Sequence, residues 1–124
     1  MIKRFGKDEI DAVIKSINKA SLLSGYTNKF LGGEILQKFE KEFARFHNCK
    51  YGISVNSGTS ALFVAQLAAG VKNKTKVSVP PITFTATISQ VIASGGIPSF
   101  TDIDSQSYCM DFDFKNKIKY AIPV

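Results

Sequence analysis

Short strand-like runs alternate with longer helical runs along most of this chain, and the alternation limits what it can fold into. Strands are predicted over residues 51–55, 76–79, 97–103 and 119–124, and helices over residues 60–69 and 84–93. Glycine or proline marks the boundaries, as at Gly70 and Pro80. Strands that alternate with helices form crossover units, so the sequence predicts an α/β fold with a mostly parallel sheet and helices on its faces.

Two amphipathic helices are predicted before the first strand. Residues 9–20 carry apolar side chains at helical spacing, with Asp8 as the predicted N-cap. A second helix is predicted from Glu34. Its apolar stripe advances in steps of three and four residues and consists of Leu36, Phe39, Phe43 and Phe46. Phenylalanine at this spacing is usually buried, so the stripe is predicted to lie in the core, and the alternative is a partner-binding surface.

Composition excludes several classes of protein. Of the 124 residues, 44% are hydrophobic, which is enough for a packed core and excludes intrinsic disorder. No run approaches the roughly 20 apolar residues of a membrane-spanning helix. The N-terminus also has no apolar signal core. The sequence therefore predicts at most one soluble domain, located in the cytoplasm and without a membrane partner.

The net charge of +6 suggests a nucleic-acid partner, but its distribution does not support one. Of the 16 basic residues, ten lie in residues 1–50, three in residues 51–101 and three in residues 102–124. Proteins that bind nucleic acids concentrate basic residues on one face or in a recognisable motif. No nucleic-acid partner is therefore predicted.

The turn between the strand at residues 51–55 and the next helix is the first candidate site. The first N–H groups of a helix are unpaired and bind anions, above all phosphate. Gly58 lets a ligand approach the backbone closely, and the hydroxyls of Ser57 and Thr59 can add donors. From these residues alone, the alternative that Ser57 simply caps the helix is favoured. The turn matches neither of the glycine-rich nucleotide-binding patterns.

Phe84 is the second candidate, because it follows the end of the strand at residues 76–79. Ligands of parallel sheets bind at the carboxyl ends of the strands. An aromatic ring at that place can stack on a planar ligand, but the residues alone favour a position in the core.

Two sets of residues in the chain are of types that can bind metals, a pair of aspartates and the two cysteines. Asp102 and Asp104 look like the paired carboxylates with which some glycosyltransferases hold a metal and a sugar diphosphate, but the same spacing is common in turns. Cys49 and Cys109 have no partners at metal-ligand spacing, and the chain has one histidine. No metal site is predicted, and both cysteines are expected to be reduced and buried.

A series of short motifs covers nearly the whole chain. The motifs are Phe39, Glu40, Phe43 and Ala44; Lys50 and Tyr51; Val55 to Leu62; Pro80, Thr83, Phe84, Ala86 and Thr87; Gly96, Pro98, Phe100, Asp102 and Asp104; and Ala121 to Val124. Each motif alone is weak. In this order and at this spacing, they resemble the sugar aminotransferases of the DegT/DnrJ/StrS type, a pyridoxal-phosphate family of fold type I.

The resemblance implies roles for particular residues. Gly58 and Thr59, with Ser57 beside them, would bind the phosphate of pyridoxal 5'-phosphate (PLP) at the start of the helix. Phe84 would stack on the pyridine ring. Asp102, like Asp104, would end a strand rather than bind a metal.

The resemblance also implies the domain organisation and the activity. Residues 1–50 would be an N-terminal helical segment, and residues 51–124 the first part of the cofactor-binding large domain. Members of the family are homodimers that move an amino group from an amino acid donor to a keto sugar linked to a nucleotide, for polysaccharide, glycan or antibiotic biosynthesis.

Members of this family are about three times as long as this chain, within the usual size of two-domain enzymes. The lysine that forms the Schiff base with the cofactor, and the carboxylate that pairs with its pyridinium nitrogen, would lie outside these residues. No catalytic residue is therefore assigned here, and the chain alone is expected to be an inactive N-terminal fragment. The strand at residues 51–55 would lack its neighbour. The alternatives are a non-catalytic phosphate-ligand-binding module and a metal-dependent sugar-nucleotide transferase that uses Asp102 and Asp104.

Overall fold

The computed structural model describes residues 4–19, 31–111 and 119–123. These residues form the elements α1 (Lys7–Asn18), α2 (Glu34–Phe46), α3 (Gly58–Ala69), β1 (Lys76–Val79), α4 (Thr85–Ala93), β2 (Ile97–Phe100) and β3 (Tyr120–Ala121). They fall into two compact units that divide between Ser54 and Val55. In this part of the chain no helix is long and apolar enough to cross a membrane.

The three strands form the parallel sheet that the sequence predicts, in the order β2-β1-β3. Val77 at the centre lies in register with Pro98 of β2 and with Tyr120 of β3. Proline has no N–H to donate to a neighbouring strand, and an edge strand such as β2 tolerates it for that reason. The α/β class and the parallel pairing are confirmed.

The core of the second unit lies between β1 and α4. Val77 and Val79 share one face of the sheet, because alternate residues of a strand point to the same side. Val91 of α4 packs on them together with Val71, and all four side chains are buried. Helix α3 in turn packs against α4. The crossover from β1 through α4 to β2 is therefore held by a small cluster of valines.

Two predicted strands are shorter in the structure. The strand expected over residues 97–103 ends at Phe100, because the chain enters a turn soon after Thr101 donates its N–H to the carbonyl of Val79 at 3.0 Å. The strand expected over residues 119–124 is limited to Tyr120–Ala121, and residue 124 lies outside the described residues.

The segment predicted as a strand over residues 51–55 pairs with no strand among the described residues, as expected for a strand whose neighbour would lie outside these residues. It packs against α2 instead. Both the N–H and the hydroxyl of Ser54 donate to Oε1 of Glu40, at 2.8 and 2.6 Å. A Cβ at Gly52 would lie 2.6 Å from the backbone oxygen of Glu40, so only glycine allows this close approach. A strand needs a neighbour for its backbone hydrogen bonds, and here the side chain of Glu40 satisfies one of them, the N–H of Ser54.

Helix α1 begins at Lys7, two residues earlier than predicted. Its N-cap is Gly6 rather than Asp8, and the N–H of Gly6 donates to the carboxylate of Glu9 at 2.8 Å. The helix ends at Asn18, and residue 20, the predicted end, lies outside the described residues.

The aromatic stripe of α2 is not buried, contrary to the prediction. Phe39 and Phe43 are each about half exposed, and Phe46 is 83% exposed. The buried residue of α2 is Ala44, and the N–H of Cys49 donates to its carbonyl at 2.8 Å. The chain that follows α2 folds back over the side of the helix that carries Glu40 and Ala44. It therefore leaves the phenylalanine side uncovered.

Both cysteines are free, as predicted, but both are exposed rather than buried. Cys49 lies in the turn after α2, where its thiol donates to the carbonyl of His47 at 3.4 Å. Cys109 lies in the turn after β2, and its thiol contacts the carbonyl of Ser107. Both sit on turns at the surface, where no core is available to cover them.

The two hydrogen bonds from Ser54 to Glu40 predict that the stability of the chain depends on pH. The hydrogen bonds from the hydroxyl and then the N–H of Ser54 hold the pKa of Glu40 below its ordinary value of 4.5. A carboxylate with a lowered folded pKa contributes stability in full above its unfolded pKa and loses it as the pH falls through the folded pKa. The free energy of unfolding of wild type should therefore exceed that of Glu40→Gln most above pH 4.5, with the difference shrinking at lower pH.

Urea unfolding at a series of pH values measures this difference. Ser54→Ala supplies the control, because it removes the hydroxyl that lowers the pKa of Glu40 most. In that background the pH-dependent part of the difference should become smaller. If wild type and Glu40→Gln differed in free energy of unfolding by the same amount at every pH, the predicted role of these hydrogen bonds would be contradicted.

Candidate functional site

The start of α3 has the cap that the residues alone favour. Ser57 is the N-cap, and its Oγ accepts the N–H of Ser60 at 3.1 Å. The hydroxyl of Ser60 donates to Oδ1 of Asn56 at 2.7 Å. Because Ser60 has a single hydroxyl proton, Ser57 is the donor in the 3.1 Å contact between the two hydroxyls. The hydroxyl of Ser57 is thus already engaged within the turn.

The cap leaves two backbone donors of α3 without an acceptor. The N–H of Ser60 is bonded to the cap, and that of Ala61 donates to the carbonyl of Ser57 at 3.0 Å. The N–H groups of Gly58 and Thr59 have no acceptor among the described residues. Both residues are exposed. Capping and anion binding are therefore compatible here, because they use different N–H groups.

Gly58 leaves an open approach to these donors. A Cβ built at Gly58 meets nothing within 4 Å. The residue is helical and is not among those with positive φ, so neither local packing nor backbone conformation requires glycine at this position. An anion that sits directly on the N–H groups would occupy the space that a Cβ would take. The site thus fits a phosphate group.

Phe84 is exposed, so the interpretation that places it in the core is wrong. It is the N-cap residue of α4, and 75% of its surface is accessible. The valine cluster takes its α4 contributions from Ile88 and Val91, which lie further along the helix. Phe84 thus stands at the entry of the helix, where its ring can contact a ligand.

Helix α4 starts at the carboxyl end of the sheet, because it follows the end of β1. The carboxyl-terminal ends of α3 and α4 meet near the amino end of β1, where the hydroxyl of Ser94 donates to Oε1 of Gln66 at 3.1 Å. The loops that follow the helices also meet there, since the N–H of Lys74 donates to the carbonyl of Gly95 at 3.0 Å. Helices α3 and α4 therefore pack against each other with their carboxyl-terminal ends together, and α4 begins at the edge at which ligands of parallel sheets bind.

Asp102 and Asp104 stabilise the turn after β2. Oδ1 of Asp104 accepts the N–H and the hydroxyl of Ser107 at 2.7 and 2.8 Å. These bonds, the backbone one first, hold the pKa of Asp104 below its ordinary value of 3.8. Asp102 accepts the N–H of Ile103 at 2.8 Å. Within the described ranges no cluster of three or more His, Cys, Asp or Glu could hold a metal ion.

The structure joins the hydroxyls of Thr83 and Thr87, two motif residues to which the sequence assigned no role. Oγ1 of Thr83 donates to Oγ1 of Thr87 at 2.8 Å, and the exposed Phe84 lies between these two residues in the sequence. This pair could have been recognised in the sequence, because the two threonines are four residues apart and lie on either side of a helix start whose N-cap, Phe84, has no capping side chain.

Comparison with known proteins identifies the family. Residues 8–122 match the model of the DegT/DnrJ/EryC1/StrS aminotransferase family. The 3-oxo-glucose-6-phosphate:glutamate aminotransferase of Bacillus subtilis is 35% identical over 115 residues, which are 93% of this chain and 24% of that protein.

Solved structures share the fold. The aminotransferase from Psychrobacter cryohalolentis has a TM-score of 0.73 and 33% identity, over 86% of this chain and 25% of that one. GDP-4-keto-6-deoxymannose-3-dehydratase, solved with a trapped PLP-glutamate geminal diamine, has a TM-score of 0.74 over 89% of this chain and 28% of that one. Its 21% identity shows a likeness of fold alone. The chain spans about a quarter of the length of the relatives it matches, and it belongs to the DegT/DnrJ/EryC1/StrS aminotransferase family.

Proposed function

We propose that this chain supplies the phosphate-binding and ring-stacking part of a PLP site, in an enzyme that moves an amino group from an amino acid to a keto sugar. The observation that carries the proposal is the start of α3, where the N–H groups of Gly58 and Thr59 are unpaired and approachable. Membership of the aminotransferase family and the PLP of a protein with the same fold support the cofactor.

Each residue of the proposed site has a distinct task. The N–H groups of Gly58 and Thr59 bind the phosphate, helped by the positive end of the α3 dipole. Ser57 holds the turn in shape and keeps those two N–H groups pointing outward. Phe84 covers one face of the pyridine ring and excludes water from it. PLP itself supplies the electron sink that lets an amino group be exchanged between carbon atoms.

The proposed substrates are an amino acid donor and a keto sugar linked to a nucleotide. The relative in Bacillus subtilis is named for glutamate and for 3-oxo-glucose 6-phosphate, which is a phosphorylated keto sugar without a nucleotide. The shared chemistry is a ketone on a phosphorylated sugar. We place the reaction in the cytoplasm and expect the full-length enzyme to act as a homodimer. Use of Asp102 and Asp104 for a metal-dependent transfer is not favoured, because both carboxylates already bind backbone N–H groups.

Gly58→Ala tests the phosphate site with little disturbance of the free protein. A methyl group there meets no protein atom within 4 Å, and alanine favours helix more than glycine does, so the stability of the free chain should be unchanged or slightly higher. The methyl group would occupy the space of the phosphate. We expect binding of PLP, measured by calorimetric titration, to weaken about tenfold or more, since bonds to a charged group are lost.

Phe84→Ala tests the ring contact in the same titration. Loss of stacking should weaken PLP binding about fivefold. Phe46→Ala is the matched control, because Phe46 is equally exposed but lies in the other unit, and it should leave binding unchanged. PLP binding that is unaffected by both Gly58→Ala and Phe84→Ala would refute the proposed site.

The isolated 124-residue polypeptide should not catalyse amino transfer. The resemblance puts the lysine that links the cofactor outside these residues, so cofactor binding alone does not complete the reaction. The assay follows the nitrogen of ¹⁵N-glutamate into a nucleotide-linked keto sugar, with a full-length family member as the positive control. Amino sugar formed by the purified polypeptide alone would contradict this part of the proposal. Binding without transfer, even in the presence of a full-length partner chain, would favour the phosphate-ligand-binding module.

A further inference from the structure

Helix α4 begins without the side-chain cap that most helices have. Ser, Thr, Asp and Asn are the usual N-cap residues because their side chains accept an N–H of the first turn. Here the N-cap is Phe84, which has no acceptor, and no side-chain cap bond is formed. The exposed aromatic ring therefore replaces the group that would normally fix the start of the helix.

A hydroxyl pair spans this uncapped start. Oγ1 of Thr83 donates to Oγ1 of Thr87 at 2.8 Å, and the N–H of Thr87 donates to the carbonyl of Phe84 at 2.9 Å. Thr87 is only 4% exposed, so one end of the bridge is anchored in the packed part of the helix. Phe84, which lies between the two threonines in the sequence, is 75% exposed. A hydrogen-bonded pair of threonines thus flanks the exposed side chain of Phe84.

We infer that Thr83 and Thr87 are positioning residues that orient the ring of Phe84 toward the cofactor. The inference rests on the proposed function for the purpose of the ring, but the bridge itself is a feature of the free chain. The hydroxyl bond fixes the backbone on both sides of Phe84 and so fixes the direction of its Cα–Cβ bond. An exposed ring that is already oriented loses less conformational freedom when a planar ligand stacks on it.

The hydrogen bond between Thr83 and Thr87 could have two roles, which predict different effects of its removal. It could only stabilise the start of α4, or it could also orient the ring of Phe84. In the first case, loss of the bridge lowers the midpoint of unfolding and leaves the affinity of the folded protein for ligands unchanged. In the second case, affinity falls for a ligand that has a ring and stays the same for one that has only a phosphate. PLP and inorganic phosphate are the two probes that separate these cases.

The test uses Thr83→Val and Thr87→Val, which keep the branched shape and remove the hydroxyl. Ordering one previously free side chain on binding corresponds to about a fivefold loss of affinity. Each variant should therefore bind PLP about fivefold more weakly and bind inorganic phosphate as wild type does. Thr75→Val is the matched control, because the hydroxyl of Thr75 accepts the N–H of Lys72 at 3.1 Å in the loop at the opposite end of the sheet. Equal PLP affinity in the Thr83, Thr87 and Thr75 variants would overturn the inference.

A second measurement needs no ligand. The chain has no tryptophan, so Phe84→Trp introduces a single fluorescent reporter at the ring position. Time-resolved anisotropy should show that this reporter moves through a wider angle when Thr83→Val or Thr87→Val is added, and not when Thr75→Val is added. Unchanged motion in all three would overturn the inference even if the chain fails to bind PLP. Failure to bind PLP with the expected change in motion would instead count against the proposed function.

Discussion

The packing of α4 on β1 through Val77, Val79 and Val91 is the contact on which the candidate site depends. Strand β1 ends directly before the loop that leads to Phe84, and α4 then returns along the sheet. That contact therefore holds the ring at the carboxyl end of the sheet. Helix α3 packs against α4 and not directly against any described strand, so α4 is the link between the start of α3 and the sheet. The groups proposed to bind phosphate and to stack on the ring thus come from two separate helices that pack on each other.

At the start of α3, the N–H group bonded by the helix cap is distinct from the two N–H groups that are proposed to bind an anion. The hydroxyl of Ser57 satisfies the N–H of Ser60 and holds the first turn in shape. The two preceding N–H groups, of Gly58 and Thr59, stay available. From the residues alone, a capping role and a binding role for this turn were alternatives. In the structure, the cap formed by Ser57 fixes the turn and leaves the N–H groups of Gly58 and Thr59 available.

Features that depend on neighbouring residues were predictable from the sequence, and features that depend on distant partners were not. Helix α3 ends at Gly70 with φ +90, the left-handed conformation that a glycine after an alanine-rich run indicates. Strand β1 has its predicted limits at Lys76–Val79. The segment at residues 51–55 has the composition of a strand, but the partner of its Ser54 N–H is the side chain of Glu40, fourteen residues earlier. The stripe of α2 likewise has the period of a buried face, and no pattern within the helix says which side the following chain covers.

Backbone amide spectra of the ¹⁵N-labelled chain, recorded during a titration with PLP, test the central claim most directly. The N–H groups of Gly58 and Thr59 should show the largest shifts, and the N–H of Ser60 a smaller one, because it is already bonded to Ser57. The N–H groups of Glu34 and Ile35 at the start of α2 also lack acceptors among the described residues, belong to the other unit and serve as the internal comparison. Shifts that are largest at the start of α2, or absent at Gly58 and Thr59 while PLP binds, would contradict the account.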